Sequence, residues 1–313
     1  MFTQILSLIL SNLFMLISEP KLTTWGGPWT EQKLDAFEKY VNAYLTIMNK
    51  FRDRYNWKLV YFDGFAGCGS RQIVEDNELI FTRFQEYIDP IELKIYKGAA
   101  ERVLNIEQRG FDYYYFIDVS QDFCRKLKEK LYKHINAGKL LEFRANDVNK
   151  EIIKLAHAFK ERTDLAGLVL LDPFGMQINW SSIELLAGTR TDLWILIPTG
   201  TIINRLLDRK ANLILSDKLE SFFGLSIEDI KSYFYKTKTQ QTLFGEMKII
   251  QKIEEPIQKI AAFYIERLKT IFKEVTDDPL IMKNSHNVPI YHFAFASNNI
   301  AATKIAGQII KTL

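Results

Sequence analysis

Apolar residues at Leu34, Phe37, Val41, Tyr44, Met48 and Phe51 recur at steps of three and four, the period of a helix that buries one face. Thr30, just ahead of them, is the expected N-cap. The pattern then changes to short, nearly unbroken apolar runs at 58–63, 113–118, 140–144, 167–172 and 192–197, separated by helical stretches. Strands that alternate with helices predict an α/β chain with a doubly wound, mainly parallel sheet covered on both faces. From 201 to 285 the pattern turns helical and loop-like, with an apolar and lysine-rich stretch at 257–272, before strand character returns at 290–296. A run at 280–283 pairs with 290–296 as an antiparallel hairpin across the turn formers Asn284, Ser285 and Asn287, and 300–313 closes as a helix. The chain is thereby divided into an N-terminal helical segment at 1–56, an α/β core at 57–200, a helical insertion at 201–285, and a closing strand and helix at 286–313.

The stretch 2–17 is apolar without one charge, and it needs its own reading. It lacks the basic residues that precede a signal-peptide core, and it is shorter than the ~20 residues of a membrane-spanning helix. A helix packed on the body is expected, the alternatives being a partner-binding helix or a start at Met15. No membrane span is expected.

Composition narrows the class. With 47% hydrophobic and 25% charged residues over 313, the chain reads as soluble and globular, and disorder or collagen-like repeats are excluded. Forty-one Lys and Arg against thirty-eight Asp and Glu leave +3, so any nucleic-acid contact comes from a local patch. Two cysteines, Cys68 and Cys124, make neither a disulfide framework nor a zinc knuckle, which points to a reducing cytoplasm and no structural metal. Cys68 reads as loop packing and Cys124 as a helix residue near the core. His286 and His292 lack a third ligand.

Three of the apolar runs end in an aspartate: Asp63, Asp118 and Asp172. In open α/β sheets the ligand crevice lies outside the carboxyl ends of the strands. Any one such acid is explained by a helix cap or a turn; three together point to a site. After Asp63 come the small residues of Gly64-Phe65-Ala66-Gly67-Cys68-Gly69-Ser70, which let the backbone approach a ligand with N–H groups free to donate. A dinucleotide fingerprint would want a third glycine where Gln72 stands, which disfavours a NAD-dependent oxidoreductase.

This segment resembles the first motif of class I S-adenosylmethionine-dependent methyltransferases, whose fold is a Rossmann-like sheet of the type predicted above. The resemblance implies S-adenosylmethionine as cofactor, with 57–200 as the domain that binds it and Asp63, Gly64, Phe65, Ala66, Gly67 and Gly69 among the residues that hold it. Asp118 stands where such enzymes place an acid after the second strand. A carboxylate there accepts both hydrogen bonds of a ribose diol. Asn146, Asp147 and Val148 follow the third strand, where the family meets the adenine. Asp172-Pro173-Phe174-Gly175 follows the fourth, at the methyl-acceptor motif. An exocyclic amine on a base is a poor nucleophile, and it is helped when a carboxylate and a carbonyl hold its hydrogens while an aromatic ring stacks on the base. Asp172, the Pro173 carbonyl and Phe174 supply those groups. The aromatic stands one place earlier than in the usual Pro-Pro-aromatic form, with Gly175 after it, although Asp-Pro-Phe-Gly also occurs in tRNA guanine-N2 dimethyltransferases.

Over 30–313 the chain resembles the three-Cys-motif partner family, TcmP. The matching pieces are Lys33-Leu34, 63–69, Lys97-Gly98-Ala99-Ala100, Phe116-Ile117-Asp118, Asp147-Val148-Asn149, 171–175 with Trp180, Ile197-Pro198 and 291–297. Cys68 replaces a frequent proline, and Lys97-Gly98-Ala99 a more usual Gly-Ser-Pro. The resemblance implies a neighbour with three cysteines, similar to radical-SAM enzymes, as a partner, and it does not supply a substrate. Two readings stand: a methyltransferase acting on an exocyclic amine of a nucleic-acid base, and a methyltransferase-fold partner without chemistry of its own. The stretch 231–238 interleaves charges with aromatics as single-strand nucleic-acid surfaces do, and reads equally as an amphipathic edge with solvated lysines.

Overall fold

The computed structural model describes residues 28–68, 98–213, 215–242, 245–284 and 286–313. The apolar stretch 2–17, Gly69, Gln72 and Lys97 lie outside the described residues.

The apolar stripe of the first helix forms α1 (Pro28–Phe51). The helix already runs from Pro28, so Thr30 is a helical residue and not the expected cap; the fixed φ of proline suits a first turn. The apolar runs become β1 (Lys58–Asp63), β2 (Tyr113–Asp118), β3 (Leu141–Ala145), β4 (Leu165–Leu171) and β5 (Thr191–Ile197). Between them stand α2 (Ala99–Leu104), α3 (Gln121–Lys130), α4 (Tyr132–Asn136), α5 (Val148–Glu161) and α6 (Trp180–Glu184).

β1 pairs in parallel with β2 and β4, β2 with β3, and β4 with β5. β10 (Pro289–Ser297) runs antiparallel beside β5, and its outer edge carries β8 (Glu274–Val275) and β9 (Leu280–Lys283). The order β3-β2-β1-β4-β5-β10-β8 is the doubly wound, Rossmann-like sheet, with the expected hairpin of 280–283 and 290–296 in place.

Alternation along the strands explains why both faces are covered. Val60, Phe62, Val169, Leu171, Leu193 and Ile195 join Ile152, Ala156 and Phe159 of α5 in one core. Leu59, Tyr61, Leu168, Leu170, Trp194 and Leu196 join Phe37, Tyr40 and Val41 of α1 in the other. α1 thus forms part of the sheet's cover, together with α11 (Ile300–Lys311) at the chain's end.

The stretch after β5 opens with a π-helical turn at Thr199–Ile203 and α7 (Asn204–Leu206), then α8 (Ser216–Phe223), α9 (Ile227–Phe234) and, farther on, α10 (Pro256–Lys269). Phe222, Phe223, Phe234 and Tyr264 bury these helices against the first core. The insertion is not wholly helical as expected: β6 (Tyr235–Thr242) and β7 (Gly245–Lys252) form a separate antiparallel ribbon. Among the described residues no helix is long and apolar enough to cross a membrane.

Candidate functional site

Parallel register brings the strand-end acids together. Asp63 lies opposite Phe116 of β2 and beside Leu170 of β4, so Asp63, Asp118 and Asp172 reach the same carboxyl edge. Asp147 follows β3 at that edge, where Asp118 is level with Ala145.

The turn after β1 is folded onto these acids. Gly64 N donates to Leu170 O at 2.9 Å and Ala66 N to Ile117 O at 2.9 Å, which ties the turn to the neighbouring strands. Phe65 N donates to Asp63 Oδ1 at 3.2 Å and Gly67 N to Asp118 Oδ2 at 3.1 Å. The N–H groups expected to be free for a ligand therefore all have partners from Gly64 to Gly67, because the two carboxylates and two strand-end carbonyls accept them first. Gly67 has φ +60°, the left-handed conformation that glycine adopts without strain, and a Cβ there would meet no described atom within 4 Å. Among the described residues the backbone is open to approach at that point. Gly64 is the reverse case: a Cβ would lie 2.7 Å from Leu171 Cδ2 and 2.8 Å from Val148 Cγ2.

The acids differ in how they are accommodated. Asp63 is 2% exposed, and burial raises its pKa to about 7, with the charges of Asp172 and Asp118 pushing the same way against hydrogen bonds from Phe65 N and Tyr61 Oη. Asp118 is half-buried, and burial raises its pKa against the N–H groups of Ser120, at 2.8 Å, and Gly67. Asp172 is buried in an ion pair: Lys33 Nζ on α1 lies 2.5 Å from its Oδ2. Lys33 shares the inward face of α1 with Phe37, Tyr40 and Tyr44. A charge on an apolar helical stripe is the sequence signal for this pairing, beyond the family match of Lys33-Leu34.

After β4, Pro173 and Gly175 are buried and Phe174 is half-buried. Tyr291 Oη on β10 reaches the Phe174 carbonyl at 3.5 Å, and Gly175 N donates to Gln177 Oε1 at 2.7 Å. A Cβ on Gly175 would fall 2.7 Å from Ile202 Cδ1, so the π-helical turn after β5 packs directly on this loop. Buried Asn149 clamps the loop's far end, donating to Gln177 O at 2.9 Å and accepting from Asn179 N at 2.8 Å and Ser182 Oγ at 3.2 Å. On the same turn, Thr199 Oγ1 meets His292 Nδ1 at 2.7 Å, and burial lowers the His292 pKa to about 4.

The third strand's residues are engaged within the chain. Asp147 is exposed and caps α5 by accepting from Lys150 N at 3.2 Å. Asn146 Nδ2 donates to Glu151 Oε1 at 2.7 Å, and the Val148 side chain belongs to the first core under Gly64. Cys68 and Cys124 are buried thiols, the latter in α3 as expected. Among the described residues no group of three or more His, Cys, Asp or Glu could hold a metal ion.

No model of a known protein family matches the chain, and no curated protein matches it. Among solved structures the chain is similar to protein LPL1258 from Legionella pneumophila, of the family model DUF519, at 14% identity over 93% of both chains with a TM-score of 0.45. It is also similar to an rRNA methylase from Streptococcus thermophilus, at 13% identity over 63% of this chain and 88% of that one, with a TM-score of 0.28. Neither likeness is close enough to assign the chain to a family.

Proposed function

We propose that the chain is an S-adenosylmethionine-dependent methyltransferase acting on an exocyclic amine of a nucleic-acid base. The observation that carries this reading is the meeting of Asp63, Asp118 and Asp172-Pro173-Phe174-Gly175 at one carboxyl edge around the Gly64–Gly67 turn. The antiparallel β10 beside β5 also departs from the order 3-2-1-4-5-6 of the dinucleotide-binding sheet, which weighs against a NAD-dependent oxidoreductase.

The donor set fits the cofactor. Asp118 has one backbone N–H on each oxygen, and a carboxylate with about four lone-pair sites keeps capacity for a ribose diol. Gly67, whose Cβ position meets no described atom, lies beside it. Asp63, Phe65 and Ala66 would shape the methionine end, and Asn146 and Asp147 the adenine end. The cofactor, when bound, supplies an electrophilic methyl group on a sulfonium. Asp172, oriented by Lys33, and the Pro173 carbonyl would accept hydrogen bonds from the two amine hydrogens, one of which leaves as a proton on methyl transfer, while Phe174 stacks on the base. A likeness to the TcmP family, with its three-Cys-motif partner, belongs to this proposal.

A second reading, a cofactor-binding partner without chemistry of its own, has the Lys33–Asp172 pair in its favour, because that acid already has a lysine within the fold. One experiment separates the two: transfer of labelled methyl groups into pooled tRNA, rRNA, DNA and protein by the wild type, Asp172→Asn and Phe174→Ala. Label is expected in nucleic acid, reduced by about 10² to 10⁴ in Asp172→Asn and by the equivalent of roughly 1–3 kcal/mol in Phe174→Ala. Label in protein alone, no label with cofactor bound, or undiminished transfer by Asp172→Asn would overturn the base-amine reading.

A further inference from the structure

The ribbon β6–β7 is an odd element for a fold to keep. An antiparallel pair normally buries one face on a core, but here Lys236, Thr237, Lys238, Thr239, Met247, Lys248, Ile250 and Gln251 are all exposed. Cross-strand register puts Lys236 and Lys238 on one face and Lys248 and Lys252 on the other, so both faces are positive. Glu246 is the single acid in 235–252 against those four lysines.

The ribbon is anchored to the segment that follows the π-helical turn after β5. Lys252 Nζ donates to Asn204 O at 2.6 Å and Asn204 Oδ1 at 2.7 Å, and Tyr235 Oη donates to Asp208 O at 2.7 Å. Asn204 directly follows the π-helical turn whose Ile202 packs on Gly175 of the acceptor loop. Between the ribbon and 204–209 runs a groove of about 1070 Å³, lined by Arg205, Arg209, Lys238 and Lys252. The groove's acid, Asp208, is engaged by the N–H groups of Lys210 and Asn212. Burial, with the nearby charge of Arg209, lowers the Lys252 pKa to about 8, so an anion entering the groove would stabilise its charged form.

We propose that this ribbon and the groove at its base are a docking surface for single-stranded RNA, laid so that the strand runs on toward the acceptor loop. The charge is complementary to a phosphate backbone. Lys236 and Lys238, two residues apart on one face, are about 7 Å apart, close to the step between successive phosphates of an extended strand. Exposed Thr237, Thr239 and Gln251 stand among the lysines, and each both donates and accepts, as a 2′-hydroxyl requires. A duplex suits the surface less, since side chains cannot read the deep, narrow major groove of A-form RNA. The proposal deepens the base-methyltransferase reading by naming its substrate class.

The test is fluorescence anisotropy with the full chain and a labelled single-stranded RNA of mixed sequence, the same sequence as DNA, and a duplex RNA. RNA should bind more tightly than DNA or duplex. The double variant Lys236→Gln, Lys238→Gln should weaken RNA binding about fivefold, and the slope of log affinity against log salt should fall by roughly 1.4, at ~0.7 per lost phosphate contact. Arginine at the same two positions should restore binding. Unchanged affinity and salt slope in the double variant, or equal affinity for DNA, would overturn the proposal. Calorimetry with S-adenosylmethionine on the same proteins keeps the two readings apart. Cofactor binding without RNA binding removes the ribbon proposal alone, whereas ribbon-dependent RNA binding without cofactor binding removes the methyltransferase reading alone.

Discussion

Replacing Lys33 by methionine keeps the reach of the side chain and deletes its charge. Lys33 and Asp172 have side chains 3% and 7% exposed, so water cannot take the place of the ammonium. An exposed pair would contribute about 0–1 kcal/mol, whereas removal of one partner from a buried pair costs about 3–5 kcal/mol because the other charge stays desolvated. Asp172 keeps further contacts, which sets the expectation for Lys33→Met near the lower end, about 3 kcal/mol. Asp63 adds to the penalty, since burial first and the charge of Asp172 after it already raise its pKa. Neutralising both residues removes the uncompensated charge, and the double variant Lys33→Met, Asp172→Asn should be more stable than the sum of the single losses predicts, by about 2 kcal/mol. Urea unfolding followed by far-UV circular dichroism and tryptophan fluorescence measures each step of the cycle. A loss below about 1 kcal/mol for Lys33→Met, or strictly additive singles, would refute a buried pair. The same cycle guards the activity assay, because a loss of methyl transfer in Asp172→Asn bears on chemistry only in protein shown to be folded.

Asp118→Ala should weaken S-adenosylmethionine binding by about 1–3 kcal/mol, the range for charge-assisted hydrogen bonds; calorimetric affinity equal to wild type in the folded variant would discard the ribose assignment. Asp63 should make stability fall with rising pH. Its pKa is about 7 when folded and ordinary when unfolded, so the folded state holds the proton more tightly. Its stabilising contribution is complete below pH about 4 and is lost between about 4 and 7, a swing of up to about 4 kcal/mol. Asp63→Asn should flatten that slope in urea titrations at a series of pH values, and an unaltered slope would show that another group carries it.

How much of this was legible in the sequence follows from what each residue buries. The runs 58–63 and 113–118 are strands as read, because both faces of the sheet are covered and the strands are apolar almost throughout. The acids at their ends were legible for the same reason: they interrupt an apolar run where a buried strand stops. The ribbon was not legible. Tyr235–Thr242 alternates lysine with threonine and glutamine, and a strand exposed over 236–239 carries no apolar face to announce its period. Nor was the Lys33–Asp172 contact, which joins residues 139 apart in sequence and is fixed by how α1 lies over β4. The free N–H groups expected in the turn after β1 fail on a general ground: unpaired donors beside carboxylates at 3 Å range do not stay unpaired.

The carboxyl edge is expensive to build, and the expense is itself informative. Three acids converge where β1, β2 and β4 end, and the fold accommodates each by a different means. Asp172 is held by a lysine drawn from α1, Asp118 by two backbone N–H groups, and Asp63 by a pKa near 7 that lets it carry a proton. None of these devices is needed for the sheet, since valine or asparagine at the same positions would end a strand without buried charge. Departures from the most stable choice concentrate where a chain has a use for them, and perturbed carboxyl groups in a crevice are a recognised mark of such places. The ion pair adds a further consequence. Because Lys33 lies on α1 and Asp172 after β4, the pair ties the first helix to the loop that follows β4, so that helix holds the Asp172 carboxylate in place as well as covering the core.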